Sequence, residues 1–241
     1  MAFKIADNTH IYNAVVNSCK CAGWNMIENT DMFNLQWTGY VMPIDIKDLN
    51  KYQKTNHFPG STQLGRKDLL WRNMNRLRIK FPQEFSITPM SFILSDDWDQ
   101  FQADRALPEN EKILYILKPV SASCGRGIKI VDSKQSISHR EGMLASRYLM
   151  NPHLINTLKY DLRIYVLVTS FNPLKVYVYN DGLVRFATEP YSVDPKSINH
   201  KYVHLTNFSI NKKNTAKFVK NNDRDDSDAE EGKDSSKWDF R

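Results

Sequence analysis

The sequence contains too few cysteines for a fold that depends on disulfide bonds or on a zinc site. Only three cysteines occur in 241 residues, at positions Cys19, Cys21 and Cys124. Disulfide scaffolds and zinc modules carry paired cysteines at regular spacings, which an odd and scattered set does not supply. The residues therefore indicate a protein of a reducing compartment, and we expect a cytoplasmic location.

A long hydrophobic run is also absent from the sequence. The longest apolar stretch, Ile164 to Val168, is far shorter than the roughly 20 residues that cross a bilayer as a helix. The residues that follow Met1 are a mixed polar stretch without the apolar centre of a signal peptide. We expect a soluble protein that has no membrane partner.

Acidic residues are outnumbered by basic ones. The chain has 33 lysines and arginines against 27 aspartates and glutamates, a net charge of +6, and 41% hydrophobic residues. This composition is that of a globular protein with a core, and the positive charge favours an anionic partner through long-range attraction. Nucleotide, nucleic acid, anionic lipid and an acidic protein tail all fit the charge. Because no nucleic-acid-binding motif accompanies it, we expect no nucleic acid partner.

The pattern of apolar residues predicts an α+β fold with three subdomains. Residues 1–84 are predicted to form an N-terminal α/β subdomain with a strand at Leu35 to Met42. The same subdomain should contain a helix at Lys67 to Lys80, where apolar side chains recur every three or four residues. Residues 85–150 are predicted to form a central subdomain, in which two strands flank a loop of small residues.

Residues 151–241 are predicted to form a third subdomain that is mostly antiparallel sheet. A strand is expected at 163–168, and one more on either side of Asn180-Asp181-Gly182, a sequence typical of hairpin turns. Residues 212–236 lose the apolar pattern and include a run of acidic side chains, which predicts a mobile loop.

The loop 118–128 carries the strongest chemical signal in the residues alone. Lys118 ends one predicted strand, and small residues up to Gly127 precede the next. Small side chains let backbone N–H groups approach phosphate oxygens, while Lys118 and Arg126 offset phosphate charge. The loop is neither a Walker loop nor a kinase glycine loop, because Gly-Lys-Ser/Thr, His-Arg-Asp and Asp-Phe-Gly are all missing. A hairpin loop with glycines for turn geometry is the alternative interpretation.

Six blocks of sequence occur in an order that resembles one protein family. They are NHFPG at 56–60 with GRKD at 65–68, the loop 118–128, SRYL at 146–149, KYDLRIYV at 159–166, DGLVRFA at 181–187 and HLTNFS at 204–209. These blocks resemble the tubulin tyrosine ligase-like family, and its glutamylating branch more than its tyrosinating branch. The resemblance implies an ATP-grasp fold, with antiparallel sheets and flanking helices.

The resemblance implies which residues bind ATP. Lys118 is expected to contact the phosphates, with Arg126 and Gly127 in the loop over them. Ser146 to Leu149 are expected to hydrogen-bond adenine, although the family often has glutamine at the position of Ser146. The implied nucleotide-binding set is Lys118, Arg126, Gly127, Ile128, Ser146, Arg147, Tyr148, Leu149, Lys159, Tyr160, Asp161, Thr206 and Asn207.

The resemblance also implies residues for catalysis and for the substrates. Arg163 and Lys67 are expected beside the reacting phosphate. The implied substrate-binding set is Arg126, Arg185, Phe208, Ser209 and Lys237, with Arg126 facing the acidic protein substrate and Phe208 at a position where tyrosine is common. Arg185 favours glutamate over tyrosine because a guanidinium pairs bidentately with a carboxylate. His204 is interpreted as structural.

By this resemblance the chain is a tubulin polyglutamylase that uses ATP, Mg²⁺ and free L-glutamate. The acceptor glutamate of tubulin would be converted to an acyl phosphate, which the amino group of free glutamate then attacks. The resemblance further implies a location on microtubules of the cytoskeleton, including the cilium or basal body. We expect a monomer. A non-catalytic basic module that binds the acidic tails of tubulin is the alternative interpretation.

The Mg²⁺ ligands that the family carries on its last strands, an Asp and a later Glu-x-Asn, are not found. The late carboxylates lie instead in the acidic run 223–231, which lacks an apolar framework. We therefore predict no metal ligands in the sequence and an incomplete last subdomain. We also expect the form with 241 residues to be inactive and poorly stable.

Overall fold

The computed structural model describes residues 1–28, 30–39, 46–139, 141–219 and 236–239. The chain divides into two compact units, Met1–Leu70 and Trp71–Arg241. No helix within the described ranges is long and apolar enough to span a membrane. The division into three subdomains stays a prediction.

The first unit is built on a small parallel sheet with the strand order β2-β1-β3-β4. Its elements are β1 (Ala2–Ile5), α1 (Asn13–Cys21), β2 (Asn25–Met26), β3 (Leu35–Trp37), β4 (Lys54–Thr55) and α2 (Thr62–Gly65). Phe3 and Phe33 are buried in this unit. The predicted strand at 35–42 ends earlier than expected, at Trp37, and its residues 40–42 lie outside the described residues.

Helix α3 (Lys67–Lys80) has the bounds that its apolar period predicts. Arg66, just before the helix, donates to the carboxylate of Asp68 from Nε at 3.2 Å and from Nη2 at 2.7 Å. This bond lowers the pKa of Asp68, and a carboxylate in the first turn is favourable beside the positive end of the helix dipole. The chain then enters the short helix α4 (Pro82–Phe85).

The second unit contains an antiparallel sheet with the strand order β5-β8-β6-β7. The elements are β5 (Ser91–Ile93), α5 (Trp98–Ala106), a 3₁₀ turn (Pro108–Asn110), β6 (Leu114–Pro119), β7 (Lys129–Asp132) and β8 (Met143–Arg147). One face of the sheet packs against α5 through Phe92, Phe101 and Tyr115, which are all buried. Because β6 and β7 pair directly, the predicted order of strand, small-residue loop and strand is confirmed.

A second antiparallel sheet in this unit has the strand order β12-β11-β10-β9. The elements of this part of the chain are β9 (Leu154–Ile155), β10 (Leu158–Phe171), β11 (Leu174–Phe186), α6 (Lys201–His204), α7 (Phe208–Asn211) and β12 (Lys237–Asp239). Strand β12 pairs with β11 so that Lys237 lies opposite Arg185. The α+β class with antiparallel sheets and flanking helices is confirmed.

The predicted turn at Asn180-Asp181-Gly182 is wrong. Strands β10 and β11 form one long hairpin whose turn lies at Asn172–Pro173, and β11 continues through residues 180–182 as an irregularity in the pairing. Such an irregularity is a bulge. A Cβ on Gly182 would lie 2.5 Å from the carbonyl oxygen of Arg163, and Asp181 Oδ1 accepts the Gly182 N–H at 2.7 Å. Gly182, which suggested a turn, therefore allows this close approach of two strands.

Candidate nucleotide and substrate site

One face of the first antiparallel sheet points away from α5 and forms a candidate nucleotide cleft. Side chains alternate along a strand, so Ile116 and Lys118 of β6 share this face. Ile116, Ile130 and Tyr148 form an apolar floor, and Tyr191 packs against it. An apolar floor suits a nucleotide base, while Lys118 at the strand end supplies positive charge for phosphate.

Lys159 of β10 brings a second ammonium group to this cleft. Its Nζ donates to the hydroxyl of Tyr148 at 2.8 Å and lies 4.4 Å from the centre of that ring. Burial and the charge of Lys118 lower the pKa of Lys159 to about 8, while Asp161 acts in the opposite direction. The two lysines repel each other in a partly desolvated cleft, and a bound polyphosphate would relieve that repulsion.

A row of charged side chains continues along β10 and β11. Lys159, Asp161 and Arg163 alternate onto one face of β10, and Arg185 is directly opposite Asp161. Arg185 donates to the Asp161 carboxylate from Nε at 2.9 Å and from Nη2 at 2.5 Å. The bond to Asp161 raises the pKa of Arg185. An incoming glutamate carboxylate would therefore have to meet Nη1 of Arg185 or displace Asp161.

The loop 118–128 makes close contact with helix α7 at Gly125. This glycine has φ +72°, and a Cβ on it would overlap Cδ1 of Ile210 and lie 3.0 Å from Oδ1 of Asn207. Ser209 Oγ donates to the carbonyl oxygen of Cys124 at 2.9 Å. The structure thus brings together two predicted groups of residues, the phosphate loop and the segment from Thr206 to Ser209.

The last part of the loop also closes onto its own beginning. Gly127 has φ +71°, and a Cβ on it would lie 2.8 Å from Cγ of Pro119. The backbone N–H of Arg126 donates to the carbonyl of Ser123 at 3.2 Å. The side chain of Arg126 is exposed and Ile128 is half-buried, so the loop presents backbone and a cation rather than bulky side chains.

Predicted substrate residues meet around Phe208. Nζ of Lys237 lies 3.7 Å from the centre of the Phe208 ring, and Nζ of Lys212 lies 5.5 Å from it. Phe218 packs edge-on against the same ring, with centres 5.6 Å apart. Since Lys237 lies opposite Arg185, two cations predicted to bind glutamate are neighbours on paired strands.

Two predicted nucleotide residues have side chains engaged elsewhere. Arg147 forms an ion pair with Asp104 of α5 on the opposite face of the sheet, with Nε 3.2 Å from Oδ2. The hydroxyl of Tyr160 is 3.1 Å from Nδ1 of His153, and its ring packs against Phe186. Any contact of these two residues with a nucleotide would therefore use their backbone atoms, and their predicted role stays a prediction.

The other residues predicted for the site differ in how far their side chains are buried. Ser146 is buried and its Oγ accepts a hydrogen bond from Ser91 Oγ at 2.8 Å. Leu149 is 65% exposed, and Thr206 is half-buried between α6 and α7 in the chain. Lys67 is half-buried at the start of α3, in the first unit. Their assigned roles also stay predictions.

Sequence reasoning missed Asn211, a buried polar side chain beneath the segment from Thr206 to Ser209. Asn211 is 1% exposed, and its Oδ1 accepts from the backbone N–H of Thr188 at 3.1 Å and from its hydroxyl at 2.9 Å. Its Nδ2 donates to the carbonyls of Leu205 at 2.6 Å and Asn207 at 3.2 Å. No sequence pattern could have predicted these hydrogen bonds of Asn211, because most of its partners are backbone groups or are remote in sequence.

Mg²⁺ does not fit the residues that the structure describes. Within those ranges, no group of three His, Cys, Asp or Glu side chains is close enough to hold a metal ion. Asp161 borders the cleft, but Arg185 already neutralises it. The acidic run 223–231 lies outside the described residues.

One segment of the chain contains the loop 118–128, Lys118, Lys159 and the charged side chains of β10 and β11. Residues 45–238 match the model of the Tubulin-tyrosine ligase family. The chain belongs to the tubulin-tyrosine ligase family. This membership confirms the ATP-grasp-like fold and the family resemblance of the sequence blocks.

Several members of the tubulin-tyrosine ligase family are similar to this chain. Tubulin monoglutamylase TTLL4 of Mus musculus is 44% identical over 180 residues, which are 74% of this chain and 15% of the relative. Tubulin polyglutamylase TTLL5 of Homo sapiens is 42% identical over 183 residues, 75% of this chain and 14% of the relative. Tubulin polyglutamylase TTLL6 of Mus musculus is 40% identical over 210 residues, 86% of this chain and 25% of the relative. The chain spans a quarter or less of the length of these curated relatives.

Proposed function

We propose that the protein is an ATP-dependent ligase that joins glutamate to glutamate side chains of tubulin. The observation that carries the proposal is the combination of Lys118, Lys159 and the glycine loop at one apolar cleft. The Arg185–Lys237 pair lies on the neighbouring strands of the second sheet. The printed names of the relatives, tubulin mono- and polyglutamylases, support the same chemistry.

In this proposal the nucleotide base lies on the apolar floor and its phosphates face the two lysines. The ammonium groups of Lys118 and Lys159 neutralise phosphate charge, and backbone N–H groups of the loop donate to phosphate oxygens. Neutralisation lowers the repulsion that an acceptor carboxylate meets as it approaches the γ-phosphate. This is stabilisation of charge that builds up in the transition state.

The proposed reaction consists of two transfers. An oxygen of the acceptor carboxylate attacks the γ-phosphorus, the bond to ADP breaks, and an acyl phosphate forms. The amino nitrogen of free glutamate then attacks the acyl carbon and loses a proton, and inorganic phosphate leaves. An isopeptide bond remains. Arg163, on the same strand face as Lys159 and Asp161, would stabilise the negative charge on the transferred group.

Free glutamate carries two carboxylates, and the proposed substrate site offers two cations. Arg185 and Lys237 lie opposite each other on β11 and β12. A guanidinium fixes a carboxylate in two directions, whereas an ammonium acts as a point charge. An acidic amino acid could place one carboxylate at each of these cations, whereas free tyrosine carries only one carboxylate. With tubulin as acceptor, we also propose a location on the microtubule cytoskeleton, including cilia or basal bodies.

The test is ATP-dependent incorporation of labelled glutamate into tubulin by the full-length gene product. Lys118→Ala removes a phosphate-binding charge and should lower incorporation by about a hundredfold or more. Lys112→Ala, an exposed lysine two positions before β6, is the matched control and should retain activity. Incorporation that needs no ATP, or that survives Lys118→Ala, would contradict the proposal.

The net charge of +6 favours a second candidate function, a non-catalytic module that binds the acidic tails of tubulin. Such binding depends on summed charge and would weaken with salt. Under this alternative, Lys118→Ala and Lys112→Ala should have equal and small effects on co-sedimentation with microtubules. A glutamate-dependent release of phosphate from ATP, sensitive to Lys118→Ala alone, separates the ligase from the module.

A further inference from the structure

His204 is a buried side chain that the proposed reaction does not use. It is 2% exposed; Nδ1 lies 3.0 Å from the hydroxyl of Tyr148, and Nε2 lies 3.0 Å from the carbonyl oxygen of Ser197. The rings of Tyr148 and Tyr191 both pack edge-on against the imidazole, with centres 5.7 Å away. Burial lowers the pKa of His204, as do Lys159 and His200, so the imidazole is neutral at about pH 7 and carries one N–H.

The two ends of this chain of contacts determine the direction of each hydrogen bond. A lysine ammonium can only donate, and a carbonyl oxygen can only accept. Lys159 therefore donates to the oxygen of Tyr148, whose own proton points to Nδ1 of His204. The remaining imidazole proton is on Nε2 and is donated to Ser197. The imidazole is thus held in a single tautomer, with its lone pair toward Tyr148.

We propose that His204 and Tyr148 are positioning residues, which hold the ammonium group of Lys159 in the direction of the nucleotide phosphates. The inference deepens the proposed function and rests on it. Lysine needs such support because its ammonium is a point charge on a flexible stem. Tyr148 follows β8 and His204 ends α6, so two separate elements direct one side chain of β10.

The charged neighbours of Lys159 explain why its direction matters. Lys118 of β6 repels the ammonium, and Asp161 on the same strand attracts it. Asp161 is already bound to Arg185. His200 and Lys159 both disfavour a second proton on His204. Loss of the Tyr148 hydroxyl would leave Lys159 without this hydrogen bond and still repelled by Lys118, so its ammonium would no longer be held in one direction.

The test measures the affinity of the full-length gene product for ADP between about pH 7 and pH 10, with substitutions along the hydrogen-bond chain. Tyr148→Phe and His204→Leu should each weaken binding by about tenfold at pH 7, the effect of one hydrogen bond to a charged group. His204→Asn should recover most of the affinity, because its amide oxygen can accept the proton of Tyr148. Tyr115→Phe is the matched control, since it removes the hydroxyl of another buried tyrosine, which donates to Asp104 on the other face of the sheet.

The pH profile separates positioning from a general loss of structure. Lys159 is an ammonium group below its pKa of about 8 and loses that charge above it. The difference between the wild type and Tyr148→Phe should therefore be largest near pH 7 and nearly vanish by about pH 10. A loss by the same factor at every pH, as expected for a purely structural role, would overturn the inference. So would wild-type affinity in both Tyr148→Phe and His204→Leu.

A measurement on the wild type keeps the inference testable if the variants fail to fold. The ¹⁵N chemical shifts of His204 should show a protonated Nε2 and an unprotonated Nδ1, and the opposite tautomer would overturn the inference. If the wild type does not bind ADP at any pH, the proposed function fails and the positioning role fails with it. If the wild type binds ADP and the variants behave like Tyr115→Phe, only the positioning role fails.

Discussion

Lys159 carries its charge in surroundings that destabilise the folded chain. Its ammonium lies 4.4 Å from the ring centre of Tyr148 and 5.8 Å from that of Tyr191, and Lys118 is close enough to lower its pKa. A charge that is removed from water costs free energy unless a partner compensates it fully. The fold thus loses stability in order to keep an ammonium group beside the cleft.

We therefore expect Lys159→Met to stabilise the protein while it weakens nucleotide binding. A pKa lowered from 10.5 to about 8 corresponds to about 3 kcal/mol of lost stability below pH 8. Because the unfolded chain binds more protons between these two values, the stability of the wild type should rise with pH across this window. Lys159→Met should remove that rise, as followed by urea unfolding at about pH 7 and pH 10.

Lys112→Met is the control for this measurement, because Lys112 is exposed. It should leave both the stability and its pH dependence unchanged. A variant Lys159→Met that is less stable than the wild type near pH 7 would show that the buried ammonium contributes to folding instead.

At the scale of single residues, the sequence alone indicated which side chains could bind phosphate. It did not indicate which residues those side chains contact in the fold. The blocks of sequence pointed to Lys118 and Lys159, and Lys118 is close enough to Lys159 to lower the pKa of its ammonium group. Strand alternation could have shown that Arg147 and Tyr148 face opposite sides. The ion pair of Arg147 with Asp104 could not be predicted, because it depends on how α5 packs against the sheet.

At the scale of elements, the contact between the glycine loop and α7 joins two parts of the candidate site. Gly125 approaches Ile210 so closely that a Cβ would overlap it, and its φ of +72° is in the region that favours glycine. Ser209 holds the neighbouring carbonyl of Cys124. A side chain at position 125 would therefore displace either the loop or α7.

Gly125→Ala should weaken ADP binding by about tenfold or more, because relief of the overlap displaces the loop. Gly142→Ala is the matched control: Gly142 has φ +67°, but a Cβ there meets no atom within 4 Å. It should cost about 1 kcal/mol of stability and leave ADP binding unchanged. Isothermal titration of ADP gives both affinities.

Removal of the overlapping side chain provides a second check on this contact. The double variant Gly125→Ala/Ile210→Ala should bind ADP more tightly than Gly125→Ala alone. If the double variant is no better, the effect of Gly125→Ala comes from its positive φ and not from the contact with α7.

Elements whose signals are local were predicted well, and those that depend on distant contacts were not. Helix α3 has its predicted bounds because an apolar period and a following proline are both local signals. The residues Asn180-Asp181-Gly182 carry an equally local turn signal. They form a bulge because the carbonyl of Arg163 approaches Gly182 from the paired strand, which no local pattern records.

At the scale of the whole molecule, the far end of the β10–β11 hairpin exposes large apolar side chains on both faces. Val166 and Val178 lie opposite each other and are 55% and 65% exposed, while the adjacent pair, Leu167 and Tyr177, is 61% and 58% exposed. Within the described ranges, β12 covers the edge of β11 only at Leu183–Arg185. Apolar faces and open strand edges promote association. These features of the hairpin oppose the monomer that we expected from the sequence.

We expect the 241-residue chain to self-associate as its concentration rises. The double variant Leu167→Lys/Val178→Glu places one charge on each face of the hairpin and should shift the protein toward the monomer, because association would bury these charges. Sedimentation velocity over a range of concentrations gives the distribution of species. Thr169→Lys, which adds a charge at a polar, exposed position of the same strand, should have a smaller effect. A wild-type chain that stays monomeric throughout would contradict this expectation.

The pairing of β12 with β11 brings Lys237 to Arg185 from a distant point of the chain. The backbone N–H of Ser236, next to Lys237, donates to the carbonyl of Val219 at 3.1 Å, and the Ser236 hydroxyl oxygen accepts the N–H of Val219 at 3.1 Å. The place of Lys237 beside Arg185 therefore depends on these two bonds as well as on the pairing of β12 with β11. A change at Val219 or Ser236 could separate the two cations while every residue of β10 and β11 stays the same.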